Sequence, residues 1–267
     1  MTSWQKAIKY LAMAFAIFLT ISIIGGILSM LGLFGGVLSS DAVIQDMRSY
    51  QVTGEVKRLE VKINAADFTV QQGETFGVES NLKYLTVENK NGVLTIRETK
   101  KHSSTYNGAV LTLYIPADTV FEKANITTGA GRLTVDHLSA GTMDLEFGAG
   151  EVTIDTLTAT VAVDIDGGAG KITISGGALH NLELDMGVGQ LNLTAALTGK
   201  SDFDLGVGES NITVLGSKED YRLDIEKGLG DITVDGTSVS NIKSQGSGDS
   251  AIEISGGVGS IHLDFKP

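Results

Sequence analysis

The triplet Gly129-Ala130-Gly131 recurs down the chain as Gly148-Ala149-Gly150, Gly168-Ala169-Gly170, Gly187-Val188-Gly189 and Gly206-Val207-Gly208, then as Gly228-Leu229-Gly230, Gly246-Ser247-Gly248 and Gly257-Val258-Gly259. Successive first glycines lie 19, 20, 19, 19, 22, 18 and 11 residues apart. A period this regular marks a stacked repeat array, because a meander of hairpins has no reason to keep one length.

Around each triplet the pattern is strand-like. Met143, Leu145 and Phe147 precede one turn, and Val152 and Ile154 follow it. Leu182, Leu184 and Met186 are answered in the same way by Leu191 and Leu193. Strict alternation over short runs buries one face of a strand and leaves the other wet. Apolar positions are odd before the first glycine and even after it, so the turn adds one residue, as a solenoid corner does. On this parity Ser210, Ile212 and Val214 belong after Gly206, and Ser250, Ile252 and Ile254 after Gly246. One repeat cannot bury its apolar face alone. Stacking repeats about 4.8 Å apart gives an all-β solenoid, and seven or eight coils make a rod on the order of 35–40 Å long.

The remainder of the chain frames this array. From Tyr10 to Ser40 no side chain is charged, and Leu11 to Phe34 is almost continuously apolar. As a helix that run crosses a bilayer core of about 30 Å. Lys6 and Lys9 on its N-terminal side place that end in the cytoplasm and the repeats outside. Val37-Leu38-Ser39 loosely fits a signal-peptide cleavage site, but the run is too long for a signal peptide and reads as an uncleaved anchor. Small residues four apart (Ala12 and Ala16, Ser22 and Gly26, Gly32 and Gly36) suit close helix packing, so self-association stays open. The expected organisation is therefore a cytoplasmic tail (1–9), a transmembrane helix with its flank (10–40), a linker (41–56), irregular β coils capping the array (57–128) and regular repeats (129–267). Within the capping region Asn91-Gly92, between two alternating runs, predicts a tight hairpin. Lys100 to Gly108 predicts an exposed loop.

Composition narrows the function classes. The chain has no cysteine, so disulfides, thiolate nucleophiles and cysteine-based zinc sites are excluded. Net charge is −12, unevenly spread: +2 over residues 1–40, −1 over 41–128 and −13 over 129–267. A tract this acidic repels nucleic-acid phosphates.

The phrase Asn91-Gly92-Val93-Leu94-Thr95-Ile96, the later Leu113-Tyr114-Ile115-Pro116 and repeats such as Gly230-Asp231-Ile232-Thr233-Val234 follow a membrane helix. In this the chain, over roughly residues 50–267, resembles the bacterial β-strand-repeat family of unknown function labelled "putative adhesin". Membrane-anchored members of this layout include an accessory protein of the Lia cell-envelope-stress system. The resemblance implies surface display and contact with a partner, and it brings no catalytic residue.

Carboxylates form the sharpest pattern. Glu146, Asp166, Asp185, Asp204 and Glu226 stand two positions before the first glycines; Asp144, Asp164, Glu183, Asp202 and Asp224 stand four before. Stacked in register they make like-charged rows about 4.8 Å apart. Such rows are either the outward, solvated positions that alternation demands or a run of oxygen ligands for Ca²⁺. Calcium-binding nonapeptides need Asp where Gly167-Gly168-Ala169-Gly170-Lys171-Ile172 has Ile. A phosphate cradle needs a helix after its glycines, and strands follow here. His102, His137, His180 and His262 are scattered, and the outward positions of the repeats are nearly devoid of the aromatic residues a glycan groove uses. No residue is therefore assigned a catalytic, cofactor-binding or metal-binding role, and no cofactor is expected. The expected function is a membrane-anchored, non-catalytic binding or sensing accessory at the cell envelope, its partner an envelope protein or wall polymer. The alternatives are an envelope-polysaccharide-cleaving solenoid and a passive spacer.

Overall fold

The computed structural model describes residues 44–99 and 108–267. The predicted membrane helix, the cytoplasmic tail and most of the predicted Lys100–Gly108 loop lie outside the described residues. Among the described residues no helix is long and apolar enough to cross a membrane.

The described residues form one 13-stranded sheet system wound into coils. In order the strands are β1 (Ile44–Gln51), β2 (Arg58–Gly73), β3 (Gly77–Leu82), β4 (Leu85–Lys90), β5 (Val93–Glu98), β6 (Val110–Pro116) and the long winding runs β7 (Phe121–Ile174) and β8 (Gly177–Leu215). After a 3-10 turn at Lys218–Asp220 come β9 (Tyr221–Glu226), β10 (Leu229–Val234), β11 (Thr237–Val239), β12 (Ile242–Gln245) and β13 (Ser250–Lys266). Neighbouring coils run parallel: Val163 pairs with Leu182, Ile165 with Leu184 and Ile172 with Leu191. The predicted alternation holds, so these side chains enter one continuous core with Ile126, Leu145, Phe203 and Ile254.

Glycine sets the corner. Gly189 and Gly208 have φ of 151° and 148°, and a Cβ on either would sit 1.8 or 1.7 Å from the carbonyl oxygen of the glycine one coil below. Only a residue without a side chain lets one coil lie this close on the next. Followed along the stack, the second-glycine position is occupied by Ala66, Gly131, Gly150, Gly170, Gly189, Gly208, Gly259 and Gly230, each resting on the backbone of its predecessor.

That order departs from the sequence at both ends. At the C-terminal end β13 pairs with β8, Ile254 against Phe203, and on its other side with β9, Ile254 against Ile225, and with β10, Val258 against Leu229. The last strand is thus laid between two earlier coils. At the N-terminal end β2 lies between β7 and the pair β5 and β6. Asn64-Ala65-Ala66 makes its corner, facing Gly129 and Gly131. Within the region expected to be irregular, β2 is therefore an inner, regular coil; β3 to β6 form the cap.

Two further expectations change. The 41–56 stretch, read as a linker, contains β1, which pairs antiparallel with β3. Gly246-Ser247-Gly248 is not a stacked corner: Gly246 lies against Tyr221 and Gly248 against Asp220. Eleven residues cannot complete a coil, so Ile252 and Ile254 precede the Gly257 corner instead of following the Gly246 one. The Asn91-Gly92 hairpin is present, with φ of 54° and 76° and Lys90 opposite Val93.

Side-chain contacts pin the inserted strand. The Tyr221 hydroxyl donates to the Leu197 carbonyl at 2.8 Å, and its ring lies 5.4 Å from that of Phe265. The Phe265 N–H donates to Asp235 at 3.0 Å, and burial holds the Tyr221 phenol above its usual pKa.

Candidate interaction surface

The outward positions before each corner build a sheet face from aligned side chains. Asp164 stands beside Glu183, and Asp166 beside Asp185. Farther along, Asp202 meets Glu253 and Asp204 meets Ser255, and these meet Asp224 and Glu226 in turn. The predicted rows therefore exist, with one change that follows from the inserted strand. Asp224 and Glu226 do not touch Asp202 and Asp204, because Glu253 and Ser255 come between. Glu253 is a member that the sequence order conceals; Ser255 breaks the other row.

Electrostatics on this face are strained in the middle and relieved at one side. Partial desolvation, then the charges of Asp166, Glu183, Asp144 and Asp185, raise the pKa of Asp164. Desolvation and then Asp204, Asp166, Glu183 and Asp202 do the same for Asp185. Lys200 relieves the outer coils: its ammonium bridges Glu253 at 2.9 Å and Asp202 at 3.1 Å, and those bonds raise its own pKa. Toward the N-terminal end the face turns basic, with Lys62 between Arg97 and Thr127.

The next row around the corner is built differently. Asp67 lies beside Arg132, whose guanidinium reaches Glu151 at 3.6 Å, and Lys171 follows, paired with Gln190. Signs alternate from Asp67 to Lys171, and beyond Gln190 the row turns acidic through Glu209 and, past Ser260, Asp231. Between the two rows runs the corner itself, an uncharged ridge of Ala65, Ala130, Ala149, Ala169, Val188, Val207, Val258 and Leu229. It becomes more apolar toward the C-terminal end, where Leu229 is 63% exposed.

Among the described residues the histidines do not converge. His180 bonds Thr198 at 3.0 Å and His262 bonds Thr233 at 2.9 Å. Among the described residues no group of three or more His, Asp or Glu is arranged to hold a metal ion. Outward side chains of parallel strands point away together, so neighbouring carboxylates line up without closing on a common centre.

Parallel coils of this period, cornered by glycine and spanning almost all the described residues, are matched by one family model over residues 56–266, that of Toastrack DUF4097. The chain belongs to this family. None of the curated proteins matches it. Among solved structures, the Toastrack chain is similar to a "putative adhesin" from Bacteroides fragilis NCTC 9343, with 17% identity over 85% of this chain and 100% of that one and a TM-score of 0.47. It is similar also to a "putative cell adhesion protein" from Clostridium sporogenes ATCC 15579, with 14% identity, 83% and 99% coverage and a TM-score of 0.38. A third is a "putative lipid binding protein" from Parabacteroides distasonis ATCC 8503, with 12% identity, 83% and 96% coverage and a TM-score of 0.29. In this Toastrack stack the chemistry-bearing groups lie along rows and not in a cleft.

Proposed function

We propose that the chain is a single-pass, outward-facing binding or sensing accessory of the bacterial cell envelope that acts without catalysis. Its acidic sheet face docks a positively charged protein or wall polymer. One observation carries this reading: the carboxylates are distributed one or two per coil over an exposed face, with raised pKa values at Asp164 and Asp185 that a cationic partner would relieve. A hydrolytic pair needs two carboxyls set against one bond in different environments, whereas these repeat in one environment. The anchor rests on the charge-free run Tyr10 to Ser40 behind Lys6 and Lys9. An accessory role in envelope stress follows the resemblance to the Lia-system protein.

The test uses cells displaying the full chain. Impermeant labelling should reach Glu209 replaced by Cys from outside intact cells. Changing Asp164, Asp166 and Asp185 together to Asn should weaken capture of isolated wall fragments or envelope partners, more so at low salt. Label that enters only after lysis would end the outward-facing reading. Release of soluble glycan from wall polymer, lost in the Asn variant, would establish the enzyme instead.

A further inference from the structure

The stack ends unequally. At its C-terminal end the outermost strands are β11 and β12, with 3 and 4 residues. At its N-terminal end the edge strands are β4, with 6, and β1, with 8, the longest of the four. Short edge strands resist pairing with other chains, whereas a long one invites it. β1 pairs with β3 on one side, and among the described residues no strand pairs with its other side. The register with β3 jumps between Ile44 and Arg48, so Gln45, Asp46 and Met47 have no ladder partner there, and Gln45 reaches β3 through its side-chain amide, which donates to the Leu82 carbonyl at 3.3 Å. Met47 is 54% exposed and Ile44 40%.

The strand is also complementary to itself. Reversed about Met47, the segment Ile44-Gln45-Asp46-Met47-Arg48-Ser49-Tyr50 sets Ile44 opposite Tyr50, Gln45 opposite Ser49 and Asp46 opposite Arg48. Directly opposed residues of antiparallel strands are contacting pairs, and opposite charges there are favourable. Moving the centre by one residue sets Asp46 on Asp46 or Arg48 on Arg48, so the charges select one register.

We propose that β1 is a self-association edge: a second copy of this chain adds its own β1 antiparallel, about a two-fold axis at Met47. Two Asp46–Arg48 pairs flank a Met47–Met47 contact, and main-chain hydrogen bonds join the sheets. The two stacks then lie end to end with their N-terminal segments at the junction. This holds wherever the protein resides, so it does not rest on the function proposed above.

The full chain purified in detergent tests it, helped by the absence of native cysteine. Met47→Cys should oxidise to a covalent dimer, since opposed cross-strand positions lie within disulfide reach. Ser238→Cys, on the short edge β11, should stay monomeric. Asp46→Arg should weaken dimerisation by roughly ten-fold in sedimentation, by replacing two attractive pairs with repulsive ones, and Asp46→Arg with Arg48→Asp should restore it. Small-angle scattering should show a dimer about twice as long as the monomer and no wider. The inference falls if Met47→Cys gives no dimer above the Ser238→Cys level, or if Asp46→Arg leaves association unchanged. A double swap that fails to restore it is equally fatal.

Discussion

Asp185 offers a direct test of whether the acidic rows are built as described, because its neutralisation should stabilise the fold. Asp185 stands beside Asp166, and Asp204 lies on its other side among the charges that raise its pKa. At the roughly 4.8 Å spacing of stacked strands, two unit charges repel by about 0.9 kcal/mol in water. Screening at physiological salt takes that to about 0.5 kcal/mol per neighbour. Two neighbours give about 1 kcal/mol, and splaying of these exposed side chains lowers it to roughly 0.5–1 kcal/mol. Asp185→Asn keeps the shape and removes the charge, so melting should rise by about 1–4 °C. The pH dependence has a definite sign. Asp164 and Asp185 have pKa values raised in the fold above the ordinary aspartate value of about 3.8, by partial burial first and then by neighbouring carboxylates. The folded chain therefore holds protons that the unfolded chain has lost, and this contribution is full below 3.8 and disappears as pH rises through the folded values. Acidifying from neutral toward that window should stabilise the wild type more than Asp185→Asn. Thermal melts from pH 4 to 8, at low and high salt, decide the matter. A loss of stability in Asp185→Asn, or a gain that 1 M salt does not diminish at all, would refute the stacked-charge account. Glu151→Gln, which removes the partner of Arg132, is the matched control and should give no gain.

Gly189→Ala should cost roughly 3 kcal/mol or more, since it combines a glycine-only φ with a Cβ thrust into the Gly170 carbonyl; chemical denaturation measures it. Ser201 is buried with its hydroxyl unpartnered, and Ser201→Ala should therefore be neutral or stabilising by up to about 1 kcal/mol in the same assay. Excising Val163 to Asn181 removes one coil in register, because Val163 pairs with Leu182; the product should fold with parallel-sheet circular dichroism and a rod shorter by about 4.8 Å. Truncation before Ser250 removes an inner coil and bares both β8 and β9–β10, so it should lower the unfolding midpoint far more than the internal excision. Equal effects would speak against an inserted β13.

The regular part of the fold was legible because two periods coincide there. Alternation over Leu182, Leu184 and Met186 fixes the inward face, and the 19–20-residue glycine spacing fixes what lies on top of what. The ends were not legible for the same reason. A repeat pattern tells which residues are equivalent, while stacking order is a tertiary choice that periodicity does not encode. The spacings of 22, 18 and 11 were the available signal: where a coil cannot be closed in the residues provided, the chain has gone elsewhere first. Asn64-Ala65-Ala66 escapes notice because its coil lacks the glycines that mark the other corners. The acidic face was visible as a set of positions, and only the inserted strand's contribution, Glu253, had to come from the structure. β1 has the look of a linker in sequence because Asp46, Arg48 and Ser49 are polar, and an edge strand needs no apolar alternation to form.

The inserted ends also explain how a one-dimensional stack becomes a closed unit. In a simple solenoid each coil touches only its neighbours in sequence, and stability is lost coil by coil from a frayed terminus. Here β13, the last strand, and β2, the first full coil, each lie one coil inside the end with partners on each face, while β1 borders the N-terminal edge. β13 cannot leave without breaking its pairing to β8 and to β9–β10 together, and β2 is held in the same way between β7 and β5–β6. The outermost coil at the C-terminal end consequently consists of hairpin-linked segments from the chain's interior, which leave β13 no free edge to peel from. Such contacts are distant in sequence, with Ala251 on Lys200, so their closure entropy makes them late in folding. The central coils can then assemble locally while the two insertions complete the structure, which is why losing β13 should be felt well beyond its own coil.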